Sequence, residues 1–142
     1  MLKEIRFRPY LREDIPFIQN SWGRSYYNAV PKHRVLTPEV FHTYHRPKRE
    51  KFFANPTAAV IIASPEKNDL ILGYVAVEKP PIEDCIIIHY LYVKEVFRGE
   101  GIGLELLRKV SNGTVFFTHL TPSGRAILRT HPTLMSYSPH LI

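Results

Sequence analysis

The sequence predicts an α/β fold with a mixed, mostly antiparallel sheet flanked by helices. Three observations predict it. Apolar, β-prone runs at 57–63, 70–77 and 85–93 are separated by turn residues. Apolar residues at three- and four-residue spacing mark helices opening near Asp14, Thr37 and Gly101. Twelve prolines punctuate the chain instead of clustering, so no interval reads as a low-complexity tract.

Taken in order, Ile5 and Phe7 alternate with Arg6 and Arg8, the period of a half-buried first strand. Asp14 reads as a helix cap, with Pro16 in the first turn and Ile15, Ile18 and Trp22 on one face. A basic and aromatic connection, Tyr26 to Arg34, follows and is closed by Pro31. Thr37 and Pro38 open a second helix whose apolar side is Val40, Phe41 and Tyr44, and Pro47 should end or kink it. Phe52 and Phe53 then read as a further helical turn. Residues 57–63 and 70–77, joined through Asn68-Asp69, read as a hairpin, and Pro80-Pro81 breaks its second strand. Cys85 to Val93, apolar at nearly every position, belongs in the sheet centre, covered on both faces. Gly101 to Val110 is a helix with Ile102, Leu106, Leu107 and Val110 on its apolar side, stopped by Ser111-Asn112-Gly113. A short strand at Val115–Thr118, a short helix at Pro122–Arg129 and a last strand at Leu134–Tyr137 complete the order.

A chain of 142 residues has room for one domain with one core, here residues 1–142. An apolar fraction of 44% with ordinary charge content excludes a disordered chain. The net charge of +6 favours anionic partners: a phosphate-bearing cofactor, nucleic acid or an acidic protein. A basic but uncommitted surface is the other reading. Cys85 is the only cysteine, which excludes an intrachain disulfide or a multi-cysteine metal site and reads as a buried thiol in a reducing, cytoplasmic setting. No metal site is expected: His42 and His45, three apart beside Tyr44, read as a polar helix face. The N-terminus has no apolar signal core, and no stretch approaches the ~20 apolar residues that span a bilayer.

The segment with chemical content runs from His89 to Leu104. A buried strand ends at Val93, a short turn follows, and a helix opens among Gly99, Gly101 and Gly103. The first turn of a helix offers free N–H groups and the positive end of the helix dipole. Glycines let an anion approach that backbone, and Arg98 adds a cation at the rim. The product is a pyrophosphate cradle. A Rossmann site needs G-x-G-x-x-G after a first strand, and a P-loop needs G-K-[ST]; the spacing R-G-x-G-x-G ahead of Leu104 fits neither.

This segment resembles motif A of the GCN5-related N-acetyltransferases, the GNAT family. Val93, Arg98, Gly101 and Gly103 fill the motif's places, and Gly99 and Ile102 match common choices. The order of elements is also similar to a GNAT fold, with an abridged C-terminal part like that of short phage and prophage members. The resemblance implies acetyl-CoA as cofactor. It implies that Leu91, Tyr92 and Val93 lie along the pantetheine arm and that Arg98, Gly99, Glu100, Gly101, Ile102 and Gly103, with Leu104 next, hold the pyrophosphate. The Glu100 side chain is expected to point outward and make no contact. It further implies an N-acyltransferase that moves an acetyl group directly to a small-molecule or protein amine. A catalytically weak acyl-CoA-binding protein that acts through a partner is the alternative reading.

Direct transfer needs a base, an oxyanion donor and a proton for the thiolate. His89 stands where H-x-L-x-V precedes the loop in serotonin N-acetyltransferase-like members, and strand period puts it on the face of Leu91 and Val93. It reads either as the base, direct or through water, or as a core histidine hydrogen-bonded in place. The N–H of Val93 is the candidate oxyanion donor. The tyrosine that many members carry on the last helix is not kept: Thr130 stands there, leaving Tyr137, Tyr92, His131 or water as general acid. The connection holding Tyr26, Tyr27, Asn28, Lys32, His33 and Arg34 would border the acceptor cleft, or is simply solvated. A nucleic-acid partner rests only on this loop and the net charge. The short C-terminus would leave a strand edge for a second copy to cover.

Overall fold

The computed structural model describes residues 4–82, 84–111 and 113–119, together with Arg125, Arg129, Ser136 and Tyr137. The strands are β1 (Ile5–Pro9), β2 (Ala58–Pro65), β3 (Gly73–Glu78), β4 (Cys85–Val93), β5 (Thr114–Phe117) and β6 (Ser136–Tyr137). The helices are α1 (Ile15–Ala29), α2 (Pro38–Ala54) and α3 (Ile102–Val110), with 3-10 turns at Arg12–Asp14, Pro31–Val35 and Glu95–Phe97. The sheet runs β1-β2-β3-β4-β5-β6 in chain order. The first three pairings are antiparallel, and β4–β5 and β5–β6 are parallel. The expected helix at Pro122–Arg129 lies outside the described residues except for Arg125 and Arg129.

Helices cover both faces of the sheet. On one face α3 lays Ile102, Leu106 and Leu107 on Val75, Val77, Ile86, Ile88, Val115 and Phe117. On the other, Ile18 and Trp22 of α1 and Phe52 of α2 pack on Val60, Ile62, Tyr74, Ala76 and Tyr90. This double cover makes β4 buried from Cys85 to Tyr90, as its nearly continuous apolar run requires. No helix among the described residues is long and apolar enough to cross a membrane.

Several local expectations are corrected. Arg8 does not face solvent: it is buried in an ion pair at 2.8 Å with Asp14, in the 3-10 turn ahead of α1. That pairing is why Asp14 does not cap α1 with its side chain; its carboxylate accepts from Arg8 and from the Leu11 N–H. Tyr26, Tyr27 and Asn28 belong to the end of α1, not to a connection, and Pro31 opens a 3-10 turn. Pro47 does not end α2, which continues to Ala54 and takes in Phe52 and Phe53. Pro47 is exposed, and the buried stripe Phe41, His45, Arg49 and Phe52 holds the helix against the sheet on both sides of it. That stripe is rotated from the expected one: Val40 is 41% and Tyr44 74% exposed. Two polar residues, His45 and Arg49, thus sit in the core layer.

Candidate active site

The geometry of the site begins with an irregularity in β4. Ala76 pairs with Tyr90 and Val77 with Ile88, so His89 is an extra residue, a β-bulge. The bulge breaks the period of two. Ile86 and Ile88 before it, and Leu91 and Val93 after it, all pack on the α3 side. His89 does not. Its ring meets Phe52 of α2 edge to face at 5.4 Å, so His89 lies on the α1–α2 side with Tyr90 and not on the face of Leu91 and Val93.

At the same place β4 and β5 part. Their last registered pair is Ile88 with Phe117, followed by a bond from the Thr118 N–H to the Ile88 carbonyl at 3.0 Å. Beyond it, Leu91 to Val93 have β3 on one side and no strand on the other among the described residues. The Lys94 N–H donates back to Leu72 beside β3 at 2.9 Å. Alternation then turns the N–H and C=O of Val93 and Leu91 to the open edge. The Val93 carbonyl is found there accepting from Arg98 Nε at 2.9 Å. Tyr92 presents its backbone the other way: a Cβ on Gly73 would sit 2.5 Å from its carbonyl oxygen. The Tyr92 side chain instead borders a cleft of about 510 Å³ beside α1, with Phe17, Arg24, Glu95 and Arg98.

The loop between Val93 and α3 is open to solvent. Arg98, Gly99 and Gly101 are exposed, and Glu100 is half-buried. Gly99 and Gly101 both take φ of +84°, a left-handed conformation that side chains other than Gly resist. Gly101 is the N-cap of α3, and the first helical bond runs from Glu105 N–H to its carbonyl at 3.0 Å. The N–H groups of Ile102, Gly103 and Leu104 are therefore free of the helix ladder. Ile102 anchors this end in the core, while a Cβ on Gly103 would meet Val93 and Leu91 at ordinary distances of 3.6 and 3.7 Å. An anion set on this turn would meet free N–H groups and the Arg98 guanidinium.

On the α1–α2 side of the bulge lies a chain of polar side chains. His89 Nε2 is 2.9 Å from Glu78 Oε1, and its Nδ1 is 3.3 Å from Thr118 Oγ1. Thr118 Oγ1 is 2.7 Å from His119 Nδ1. His119 Nε2 lies 3.4 Å from His45 Nε2, and His45 Nδ1 accepts from Arg49. Burial pushes His45 down to about 3, with the Arg49 cation acting in the same direction. Burial, then His45, pushes His119 down to about 3. Both rings are therefore neutral at pH 7. His89, His119, Glu78, Trp22 and Phe52 border a cavity of about 230 Å³, with Lys48 and Lys51 at its rim.

Sequence reasoning singled out His89, though on the wrong face, and the loop, but missed Glu78, Thr118, His119, His45 and Arg49. A signal for two of them existed. His45 and Arg49 fall between Phe41 and Phe52 at spacings of four, four and three, so one helix face is continuous only if they are buried. Lys32 and Arg34 are exposed, and Arg34 and His33 bond to carbonyls of Asn28 and Tyr26. No cluster of metal-ligating side chains forms among the described residues.

Comparison with known proteins bears on the family and the fold. Residues 16–112 match the model of the acetyltransferase (GNAT) family. No curated protein sequence matches the chain. A GCN5-related N-acetyltransferase from Ralstonia eutropha is similar at a TM-score of 0.63 and 16% identity, covering 89% of this chain and 90% of that one. PaiA N-acetyltransferase from Thermoplasma acidophilum, in complex with coenzyme A, is similar at 0.63 and 16%, covering 89% and 87%. A predicted acetyltransferase from Clostridium acetobutylicum, with acetyl-CoA, is similar at 0.57 and 16%, covering 89% and 88%. At such identity these likenesses speak for the fold.

Proposed function

The chain belongs to the GNAT acetyltransferase family, and from that premise we propose that it is an N-acyltransferase carrying an acetyl group from acetyl-CoA to an amine. The observation that carries the proposal is the continuity of the open β4 edge with the free N–H groups at the start of α3. An extended amide-bearing arm lies along Leu91 and Val93 as an added strand, with the Tyr92 side chain beside it. Its diphosphate then falls on the turn from Arg98 to Gly103, ahead of Leu104. The Glu100 side chain has no part in the contact. Solved structures of similar fold hold coenzyme A and acetyl-CoA, which supports this donor.

The thioester supplies an activated acyl carbon. The chain supplies position and electrostatics. Two N–H groups turn to the open edge, those of Leu91 and Val93. Val93 pairs with Gly73, five residues or about 16 Å along β3 from Glu78, and Leu91 lies nearer the bulge. The Leu91 N–H, not that of Val93, therefore donates to the oxygen that becomes anionic as the amine adds. The Glu78–His89 pair, on the opposite side of the sheet at the bulge, handles the amine's proton. The gap between β4 and β5 joins the two sides, so acceptor and donor approach from opposite faces. The acceptor is a small-molecule or protein amine entering by the 230 Å³ cavity.

The test is thiol release from acetyl-CoA in the presence of a panel of primary amines and peptide N-termini. Amine-dependent release, lowered at least tenfold in kcat/KM by Arg98→Ala, is expected. Binding of acetyl-CoA without release for any amine would refute catalysis.

A further inference from the structure

The hydrogen bonds that run through His89 have a direction. Arg49 at one end can only donate, and an ionised carboxylate, Glu78, at the other can only accept. Arg49 makes His45 Nδ1 an acceptor, which leaves the proton of neutral His45 on Nε2. That N–H points at His119 Nε2, so His119 carries its proton on Nδ1. His119 Nδ1–H donates to Thr118 Oγ1, and the hydroxyl hydrogen of Thr118 is left for His89 Nδ1. His89 then carries its proton on Nε2 and donates it to Glu78 Oε1. Working back from Glu78 gives the same tautomer at every ring. With one proton on each ring, reversing one bond alone sets two donors or two acceptors face to face at the next.

The consequence concerns which group can take a proton. Neither nitrogen of His89 has a lone pair for a substrate: Nδ1 is filled by Thr118, and Nε2 bears the hydrogen spent on Glu78. The ring is also buried, at 7% exposed. Glu78 is placed in the opposite way. Oε1 accepts from His89, Oε2 has no partner among the described residues, and the side chain is 24% exposed on the wall of the 230 Å³ cavity. The other titratable side chains on that cavity are Lys48 and Lys51 of α2, His89 of β4, and His119 just beyond β5.

We propose that Glu78 is the catalytic residue that takes the proton from the acceptor amine, and that His89, oriented by the chain from Arg49 through His45, His119 and Thr118, is a positioning residue that holds Glu78. This assignment rests on the acyl-transfer reading above. The acceptor nitrogen forms its bond to the acyl carbon, the carbon–sulfur bond breaks, and the electron pair leaves on sulfur. The proton lost by nitrogen goes to Glu78 Oε2 and on to solvent, which returns one to the thiolate. His89 keeps its own proton throughout.

The experiment compares Glu78→Gln, His89→Gln and His89→Ala with the wild type in amine-dependent thiol release, with acetyl-CoA-induced melting shifts measured beside it. Glu78→Gln should lose about 100-fold or more in kcat while its melting shift stays that of the wild type. A glutamine at position 89 can still donate toward Glu78, so His89→Gln should stay within about tenfold of wild type while His89→Ala falls further. Wild-type turnover by Glu78→Gln, or a His89→Gln as inactive as Glu78→Gln, overturns the assignment. Nitrogen-15 spectra of the histidine rings give a readout independent of turnover: His89 as the Nε2–H tautomer and His119 as Nδ1–H are expected, and His89 as Nδ1–H overturns the proposal. A wild type that shows these tautomers yet no melting shift with acetyl-CoA marks failure of the acyl-transfer reading instead, and the assignment falls with it.

Discussion

Acidification from pH 7.5 to pH 5 should destabilise this fold mostly through two buried histidines, with His42, lowered by burial and then by Arg49 and Arg46, adding in the same direction. His45 and His119 are each held neutral, with values near 3 against an ordinary 6.5. The unfolded chain binds protons at these rings below pH 6.5 and the folded chain does not until near pH 3. Stability from each ring is therefore complete above 6.5 and is lost as the pH falls toward 3. At pH 5 each ring has lost about 2 kcal/mol, so the pair loses on the order of 4 kcal/mol. That is a large part of the roughly 5–15 kcal/mol that holds a domain together. Asp14 does not confuse the reading. Burial raises it, but the hydrogen bonds from Arg8 and Leu11 outweigh burial and hold it below its ordinary 3.8, so its share is lost only below that pH. Urea denaturation at pH 7.5, 6.5, 5.75 and 5 measures the effect. A steady fall that is roughly halved in His119→Asn is expected. A wild-type profile flat to within 1 kcal/mol over this range would refute the buried, neutral chain.

Three further outcomes follow from local geometry. Gly101→Ala, at φ +84°, should lose about 1–2 kcal/mol in urea denaturation. Gly103→Ala, whose Cβ meets only ordinary contacts in the first turn of a helix, should be neutral or gain up to about 1 kcal/mol; equal effects would contradict the loop. Gly73→Ala puts a Cβ 2.5 Å from the Tyr92 carbonyl and should force β3 from β4, losing about 1–3 kcal/mol; a melting temperature within a degree of wild type would contradict that register. Asp14→Asn leaves Arg8, 9% exposed, without its main counter-charge and should lose about 3 kcal/mol at pH 7, an effect that shrinks as the pH falls below 3.8 and Asp14 itself takes up a proton.

Much of the fold is legible in local pattern. The bounds of β4 at Cys85 and Val93 follow from a nearly continuous apolar run that only a strand covered on both faces can bury, and α3 follows from Ile102, Leu106 and Leu107, which leave one buried face. The bulge could not be read. One extra residue at His89 gives no local signal, yet it moves that side chain to the other face, so strand period misled at the position that mattered. α2 failed for a related reason. Val40 and Tyr44 have the apolar character expected of a buried face, and His45 takes it because Trp22 of α1 and His119 beyond β5 meet its ring, with Arg49 donating to His45 within the same helix. Pairings such as His119 with His45, 74 residues apart, arise only when the sheet has closed. The geometry of the loop from Arg98 to Gly103 was legible for the converse reason. Its glycines, its arginine and its helix start are adjacent in sequence, and each acts through the backbone next to it.

Calorimetric titration of acetyl-CoA into the wild type and Arg98→Ala tests the open edge and free helix start most directly. Saturable binding is predicted, with affinity reduced about tenfold or more in Arg98→Ala, since hydrogen bonds to a charged group are worth about 1.5–3 kcal/mol. At 100 times the dissociation constant the wild type should gain about 2.7 kcal/mol in stability. No heat and no gain in stability at millimolar acetyl-CoA would contradict the account.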